Sequence, residues 1–362
     1  MKKIILLFIS IVFVLAVFSA CSNAPVSPAE IKTNAQAIES GVPKEKKTTG
    51  QRQEEKIKVV TTNFPQYDFV RQIAGDNVDL SMLLAPGAES HSYEPTPQDI
   101  IKIQESDLFV YTGGENDVWV DQILESMGDD KPQTFKLTDC VDLVEEELVE
   151  GMEDDHDHEE HGAEEDHPEA DAHDHESGEH SHSDEDAEYD EHVWTSPKNS
   201  IEIVRKLTDA LSGLDDKNKA VYEKNRDNYI VELEKLDQQF ADVVKNAARK
   251  TVVFGDRFPF RYFADEYGLT YYAAFPGCST ETEPSASTVA FLIDKVKSEH
   301  IPVVFHIELS NEKMADTICA ETGAKKLLFH ACHNVSKEDF DKGATYLGLM
   351  EGNVSALREA LN

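Results

Sequence analysis

The sequence predicts an α/β protein of two lobes, each built on a central parallel sheet and joined by one long rigid helix. Short apolar runs alternate with amphipathic helical patterns in both halves of the chain, and that alternation is the signature of parallel sheets covered by helices. A pattern free of Gly and Pro runs through residues 216–248, long enough for a helix that crosses a whole molecule at about 1.5 Å per residue. Behind the N-terminal polar stretch, about 300 of the 362 residues remain, enough for two cores of ordinary size.

In the first lobe, residues 57–215, Ile57 to Asn63 reads as a strand and Pro65 to Ala74 as a helix stopped by Gly75. A strand over Val78 to Ala85, a helix from Pro97, a strand over Asp107 to Thr112, a helix near Val118 to Met127 and a strand near Thr134 to Leu137 follow. Pro197 then opens a helix to about Leu211. In the second lobe, residues 249–362, strands over 251–254, 269–275, 302–309 and 326–330 alternate with helices over 260–267, 288–298 and 312–322, and a last helix spans 346–361.

The N-terminus is of another kind. Lys2 and Lys3 precede the apolar run Ile4 to Val17, then Ser19, Ala20 and Cys21. Residues 1–21 therefore read as a secretory signal ending in a lipobox, with lipid on Cys21 anchoring the chain to the outside of the cell membrane. The run is shorter than the roughly 20 apolar residues of a membrane span. Residues 22–56, rich in Pro, Ser, Thr, Lys and Glu, read as a flexible tether.

The net charge of -37 is concentrated: twenty Asp and Glu, with no Lys or Arg, lie between Glu153 and Glu191. Such a surface repels nucleic acid. The same stretch holds His156, His158, His161, His167, His173, His175, His180 and His182. Residues 151–190 have too few aliphatic side chains to fold alone, so a disordered loop is expected. Its paired imidazoles among carboxylates suit capture of a divalent cation, with modest affinity because flexible ligands must be ordered.

In open parallel sheets, ligands bind beyond the carboxyl ends of the strands. His91 lies in such a place, in a loop stiffened by Pro86, Pro95 and Pro97. His192 directly precedes the helix opened by Pro197, and His330 ends the strand over Lys326 to Phe329. Three imidazoles at equivalent points suit zinc. Apart from Cys21, the cysteines are Cys140, Cys278, Cys319 and Cys332. Cys278 and Cys332 both fall near the cleft side of the second lobe, where a structural disulfide is the main expectation and a pair of thiolate ligands the alternative.

The segments His91-Ser92-Tyr93-Glu94-Pro95-Thr96-Pro97 and Glu191-His192-Val193-Trp194-Thr195-Ser196-Pro197, with the His-rich loop between them, resemble the zinc/manganese solute-binding lipoproteins of ABC importers. The likeness runs from about Ile57 to the C-terminus. It implies a metal site in the cleft between the lobes, His91 and His192 as ligands from the first lobe, and a linking helix that fixes the interlobe angle. It places a third ligand where this chain has Gly255, and a fourth, usually a carboxylate, where it has His330. The site implied is thus His91, His192 and His330, completed by water or by Asp256, His306 or Glu308.

The implied partners are a membrane permease and its cytoplasmic ATPase, since the chain has no Gly-x-x-x-x-Gly-Lys-Ser/Thr motif of its own, and a monomer is expected. The Irving–Williams order favours zinc over manganese as cargo. A secreted zinc hydrolase is the rival reading, because three histidines with an open fourth position also suit catalysis, but a His-Glu-x-x-His helix is missing. Cell adhesion is a third reading, drawn from the anchor alone.

Overall fold

The computed structural model describes residues 55–90, 93–114, 117–152, 188–279 and 284–362. Cys21, His91 and the eight histidines between His156 and His182 lie outside the described residues.

The first lobe begins with β1 (Lys58–Thr61), α1 (Phe64–Ala74), β2 (Asp79–Met82), α2 (Pro97–Gln104), β3 (Leu108–Tyr111), α3 (Val118–Met127) and β4 (Gln133–Lys136). Its sheet has the order β2-β1-β3-β4 and every pair is parallel, with Val59 in register with Leu80 on one side and Leu108 on the other. Strands β1 and β3 are buried almost throughout, as expected for a sheet covered on both faces. Helix α2 starts on a reciprocal cap: the Thr96 hydroxyl accepts from the Asp99 N–H, and the Asp99 carboxylate accepts from the Thr96 N–H. This cap ends the proline-stiffened loop that carries positions 91 and 92.

Two helices follow, α4 (Pro197–Leu214) and α5 (Lys219–Lys245). The second lobe comprises β5 (Thr251–Phe258), α6 (Arg261–Tyr267), β6 (Thr270–Pro276), α7 (Ala286–Ser298), β7 (Val303–His306), α8 (Lys313–Thr322), β8 (Lys325–Leu328), α9 (Lys337–Asp341) and α10 (Tyr346–Leu361). Its sheet, ordered β6-β5-β7-β8, is again parallel throughout. The two lobes thus repeat one topology.

Helix α5 is the long linking helix expected from the sequence, 27 residues in length. Its buried stripe of Tyr222, Tyr229, Leu233, Leu236 and Phe240 serves both lobes. Near its start Tyr229 meets Phe69 of α1, with ring centroids 6.4 Å apart. Further along, Phe240 packs against Phe263 of α6 at 4.8 Å. One continuous buried cluster runs from Val59 and Phe69 through this stripe to Phe254 and Phe329. Because the lobes share a core, hinging them apart would expose apolar surface at a cost of about 25 cal/mol per Å².

Polar bonds reinforce the seam from the C-terminal side. The Asp68 carboxylate of α1 accepts from the Tyr346 N–H at the start of α10 and is paired with Arg71. The buried Tyr346 hydroxyl donates to the Trp194 carbonyl at 2.7 Å and accepts from Ser200 at 3.1 Å. Tyr346→Phe removes one donor to the Trp194 carbonyl, which keeps the Ser200 hydroxyl at 2.9 Å, so it should lower unfolding free energy by about 0.5–1.5 kcal/mol. Urea denaturation should show a lower midpoint with an unchanged slope.

Candidate metal centre

His192 enters the site from the first lobe and is fully buried. It sits just before the short turn Val193–Thr195, which the Thr195 hydroxyl closes by donating to the His192 carbonyl. The Asp190 carboxylate accepts both the His192 backbone N–H, at 2.7 Å, and the ring Nδ1–H, at 3.0 Å. A carboxylate on Nδ1 fixes the ring and its tautomer, and directs Nε2 to act as the ligand atom. Burial resists protonation of this ring, but Asp190 foremost, with Glu191 and Glu146, outweighs it and raises the pKa.

Asp190 is itself held by the foot of the acidic segment. Residues 144–146 pair with 188–190: the Glu146 N–H donates to the Glu188 carbonyl, and the Asp190 N–H to the Val144 carbonyl. The Tyr262 hydroxyl of α6 donates to the Asp190 carbonyl at 2.6 Å. The same foot reaches across the second lobe, where Glu147 meets Arg261 and Glu150 meets Lys295.

The second lobe brings Cys278 to His192. One ligand atom each from Glu191, His192 and Cys278 lies within 4.8 Å of the others. Gly277 eases this approach: a Cβ there would stand at a tight 3.2 Å from the His192 ring and 3.0 Å from the Phe258 carbonyl. The Cys278 N–H donates to Glu146 at 3.0 Å. Burial pushes the Cys278 thiol far up, and Glu191, Asp190 and Glu146 add to the shift. The carboxylates that resist a thiolate also attract a divalent cation, and a coordinated thiol gives up its proton.

His333 packs against His192. Its ring lies 4.5 Å from that of His192 and 5.0 Å from that of Trp194, nearly perpendicular to both. Its N–H donates to Glu308 at 2.9 Å, and its carbonyl accepts from the Phe64 N–H of the first lobe at 3.1 Å. Ser90 and Tyr93, on either side of positions 91 and 92, line a pocket with Glu191 and His333.

The other expected residues have contacts of their own. The His330 Nδ1 accepts from the Cys332 N–H at 2.9 Å and lies 3.3 Å from Glu308, and its backbone is bound twice by Asn353 of α10. His333, not His330, meets His192. Glu308 is a clamp, accepting from the Ala331 and His333 N–H groups. Asp256 accepts from the backbone of Arg257 and Ile307, and so ties β5 to the end of β7. His306 has Nδ1 3.1 Å from the Ile307 carbonyl.

At Gly255 the backbone itself leaves no room for a side chain, since a Cβ there would stand 2.6 Å from the Ala315 Cα of α8. One expectation needs correction. Cys278 and Cys332 form no disulfide; the four described cysteines are free thiols. Cys332 is sealed in the core, where Glu308 and Asp68 are its charged neighbours, while Cys278 faces Glu191 and Asp190. The alternative of a thiolate pair fails for the same reason.

The model of the family described as zinc-uptake complex component A, periplasmic, matches residues 59–360. The chain is 36% identical over 307 residues to the high-affinity zinc uptake system protein ZnuA of Bacillus subtilis, covering 85% of this chain and 88% of that protein. It is 33% identical over 304 residues to the zinc-binding lipoprotein AdcA of Streptococcus pneumoniae, covering 84% of this chain but only 56% of that longer protein. The crystal structure of the Zn(II)-bound ZnuA-like domain of AdcA superposes with a TM-score of 0.65 at 30% identity, covering 84% of this chain and 99% of that domain.

If Asp190 orients the imidazole, Asp190→Asn should weaken tight binding of a divalent metal by roughly 10–100-fold without unfolding the protein. Calorimetric titration of the metal-free variant, beside a thermal melt, checks both parts.

Proposed function

We infer the function from one premise: the chain belongs to the zinc-uptake complex component A family. It is the extracytoplasmic solute-binding component of an ABC importer. It captures a zinc ion and passes it to a membrane permease driven by a cytoplasmic ATPase. The family is one of uptake components and not of hydrolases, so the reading as a secreted zinc enzyme is set aside. Lipid on Cys21 would hold the chain at the membrane, as a monomer.

The convergence of Glu191, His192 and Cys278, with His333 against His192, carries the reading of the site. We assign His192, His333 and the Cys278 thiolate as ligands, with His91 or Glu191 completing a tetrahedral shell. Nitrogen and sulfur donors in this mixture suit zinc better than manganese, which prefers oxygen. Hydrogen bonds to the His192 ring, the His333 N–H and the Cys278 N–H support this reading, since they lower the cost of ordering these groups around an ion.

His333→Ala should lower zinc affinity by roughly a hundredfold or more, whereas His330→Asn should stay within about threefold of the parent, since only the former removes a ligand. Calorimetric titration with a competing chelator measures both. Equal losses, or a loss only in the His330 variant, would reject this ligand set.

The acidic segment has a separate task, to gather zinc weakly. Deleting residues 153–186 removes all eight of its histidines and leaves the foot that holds Asp190. The tight site should survive while several weaker zinc equivalents vanish, as read by stoichiometry at neutral pH. Loss of the tight site would make the segment the main receptor.

A further inference from the structure

Residues 144–152, just before the acidic segment, form a strap across the second lobe. Glu145 bridges antiparallel to Tyr189, and the Val144 N–H donates to the Tyr262 hydroxyl of α6 at 3.4 Å. Further on, the Tyr271 hydroxyl of β6 donates to Glu147 at 3.3 Å. Val144, Val149 and Met152 pack, half-buried, against the large core. Gly151, with a φ of 94°, lies so close to α7 that a Cβ would overlap the Phe291 ring. The ion pairs of Glu147 and Glu150 are exposed, and pairs of that kind contribute little. The apolar contacts and the fit at Gly151 therefore fix the course of the strap.

Of the strap's carboxylates, Glu146 turns to the metal cluster. It accepts the Cys278 N–H at 3.0 Å and interacts with the charges of Asp190 and His192. Cys278 stands two residues past the end of β6, where the sheet register no longer holds the chain. Its backbone is tied to Glu146, and its sulfur accepts a hydrogen bond from the Glu191 N–H. One residue from each side of the foot thus grips Cys278.

We propose that Glu146 is a positioning residue for zinc capture: its carboxylate holds the Cys278 backbone so that the sulfur faces His192. The inference rests on the assignment of Cys278 as a ligand. Hydrogen bonds to an ionised acceptor are stronger than neutral ones, and partners that orient a ligand from outside the shell typically contribute 10–100-fold in affinity. The same foot orients His192, because the Asp190 N–H is bound to the Val144 carbonyl at 3.0 Å. Ligands of both lobes are therefore set by one strap, which links the base of the acidic segment to the tight site. What Glu146 supplies to Cys278 is an oxygen acceptor; its negative charge opposes the thiolate.

The test loads the metal-free full chain with one equivalent of cobalt(II), whose sulfur-to-metal charge-transfer band in the near ultraviolet reports a bound thiolate. Zinc affinity is measured alongside by calorimetric titration with a competing chelator. Glu146→Ala should weaken zinc by roughly 10–100-fold and diminish the band. Glu146→Gln keeps an oxygen in place, so it should retain the band and stay within about threefold of the parent. With Cys278→Ser already present, Glu146→Ala should change the affinity by less than about twofold, because it acts only through Cys278. Should Glu146→Ala fail to fold, Glu146→Met fills the same space without an oxygen, and the same losses are required of it. A parent band and affinity that Glu146→Ala leaves unchanged, a Gln variant as weak as the Ala variant, or full additivity with Cys278→Ser overturns the positioning role alone. No band in the parent removes the sulfur ligand itself, and the role of Glu146 falls with it.

Discussion

The hydrogen bond from the Trp194 indole to the Ala331 carbonyl, 2.8 Å long and fully buried, holds the two lobes at the point where the site forms. His192 lies two residues before the donor and His333 two residues after the acceptor, so one bond sets the distance between two imidazoles from different lobes. Tyr346 supports it by donating to the Trp194 carbonyl, and the Phe64 N–H supports it by donating to the His333 carbonyl. The shared core along α5 then makes this seam costly to open. The site is therefore built on rigid elements, which keeps ligand atoms near their productive positions.

The electrostatics favour a cation at the same point. Asp190 and Glu191 are buried, Glu308 is nearly so, and burial raises the pKa of Glu146. Carboxylates withdrawn from water are costly unless paired or hydrogen-bonded. Asp190 and Glu308 are satisfied by donors on His192, Ala331 and His333, and so hold the His192 ring and the His333 backbone in place. A divalent ion bound among them would compensate the remaining negative field and would displace the Cys278 proton.

Much of the fold was legible in the sequence, because strand and helix periodicities differ and because Gly75, Pro97 and Pro197 mark ends. His192 was legible as a candidate from its place before a helix start. His333 was not: choosing between two histidines three residues apart depends on the backbone between them, where Cys332 adopts a φ of 64° and turns the chain. Nor does spacing show that Gly255 faces α8 or that Cys332 points into the core. The foot of the acidic segment was also missed. Residues 144–150 have no apolar period, and their pairing with 188–190 and their ion pairs to the second lobe are long-range contacts. A reading that placed them wholly in the first lobe had no local signal to correct it.

The central claim is that the metal shell contains one sulfur and at least two imidazole nitrogens drawn from both lobes. X-ray absorption fine structure at the zinc edge, recorded on protein lacking residues 153–186 and loaded with one equivalent, tests it most directly. The account predicts a single sulfur scatterer near 2.3 Å with nitrogen and oxygen near 2.0–2.1 Å, and multiple scattering from more than one imidazole. A shell of nitrogen and oxygen alone would contradict the assignment of Cys278, and a shell without two imidazoles would contradict the pairing of His192 with His333.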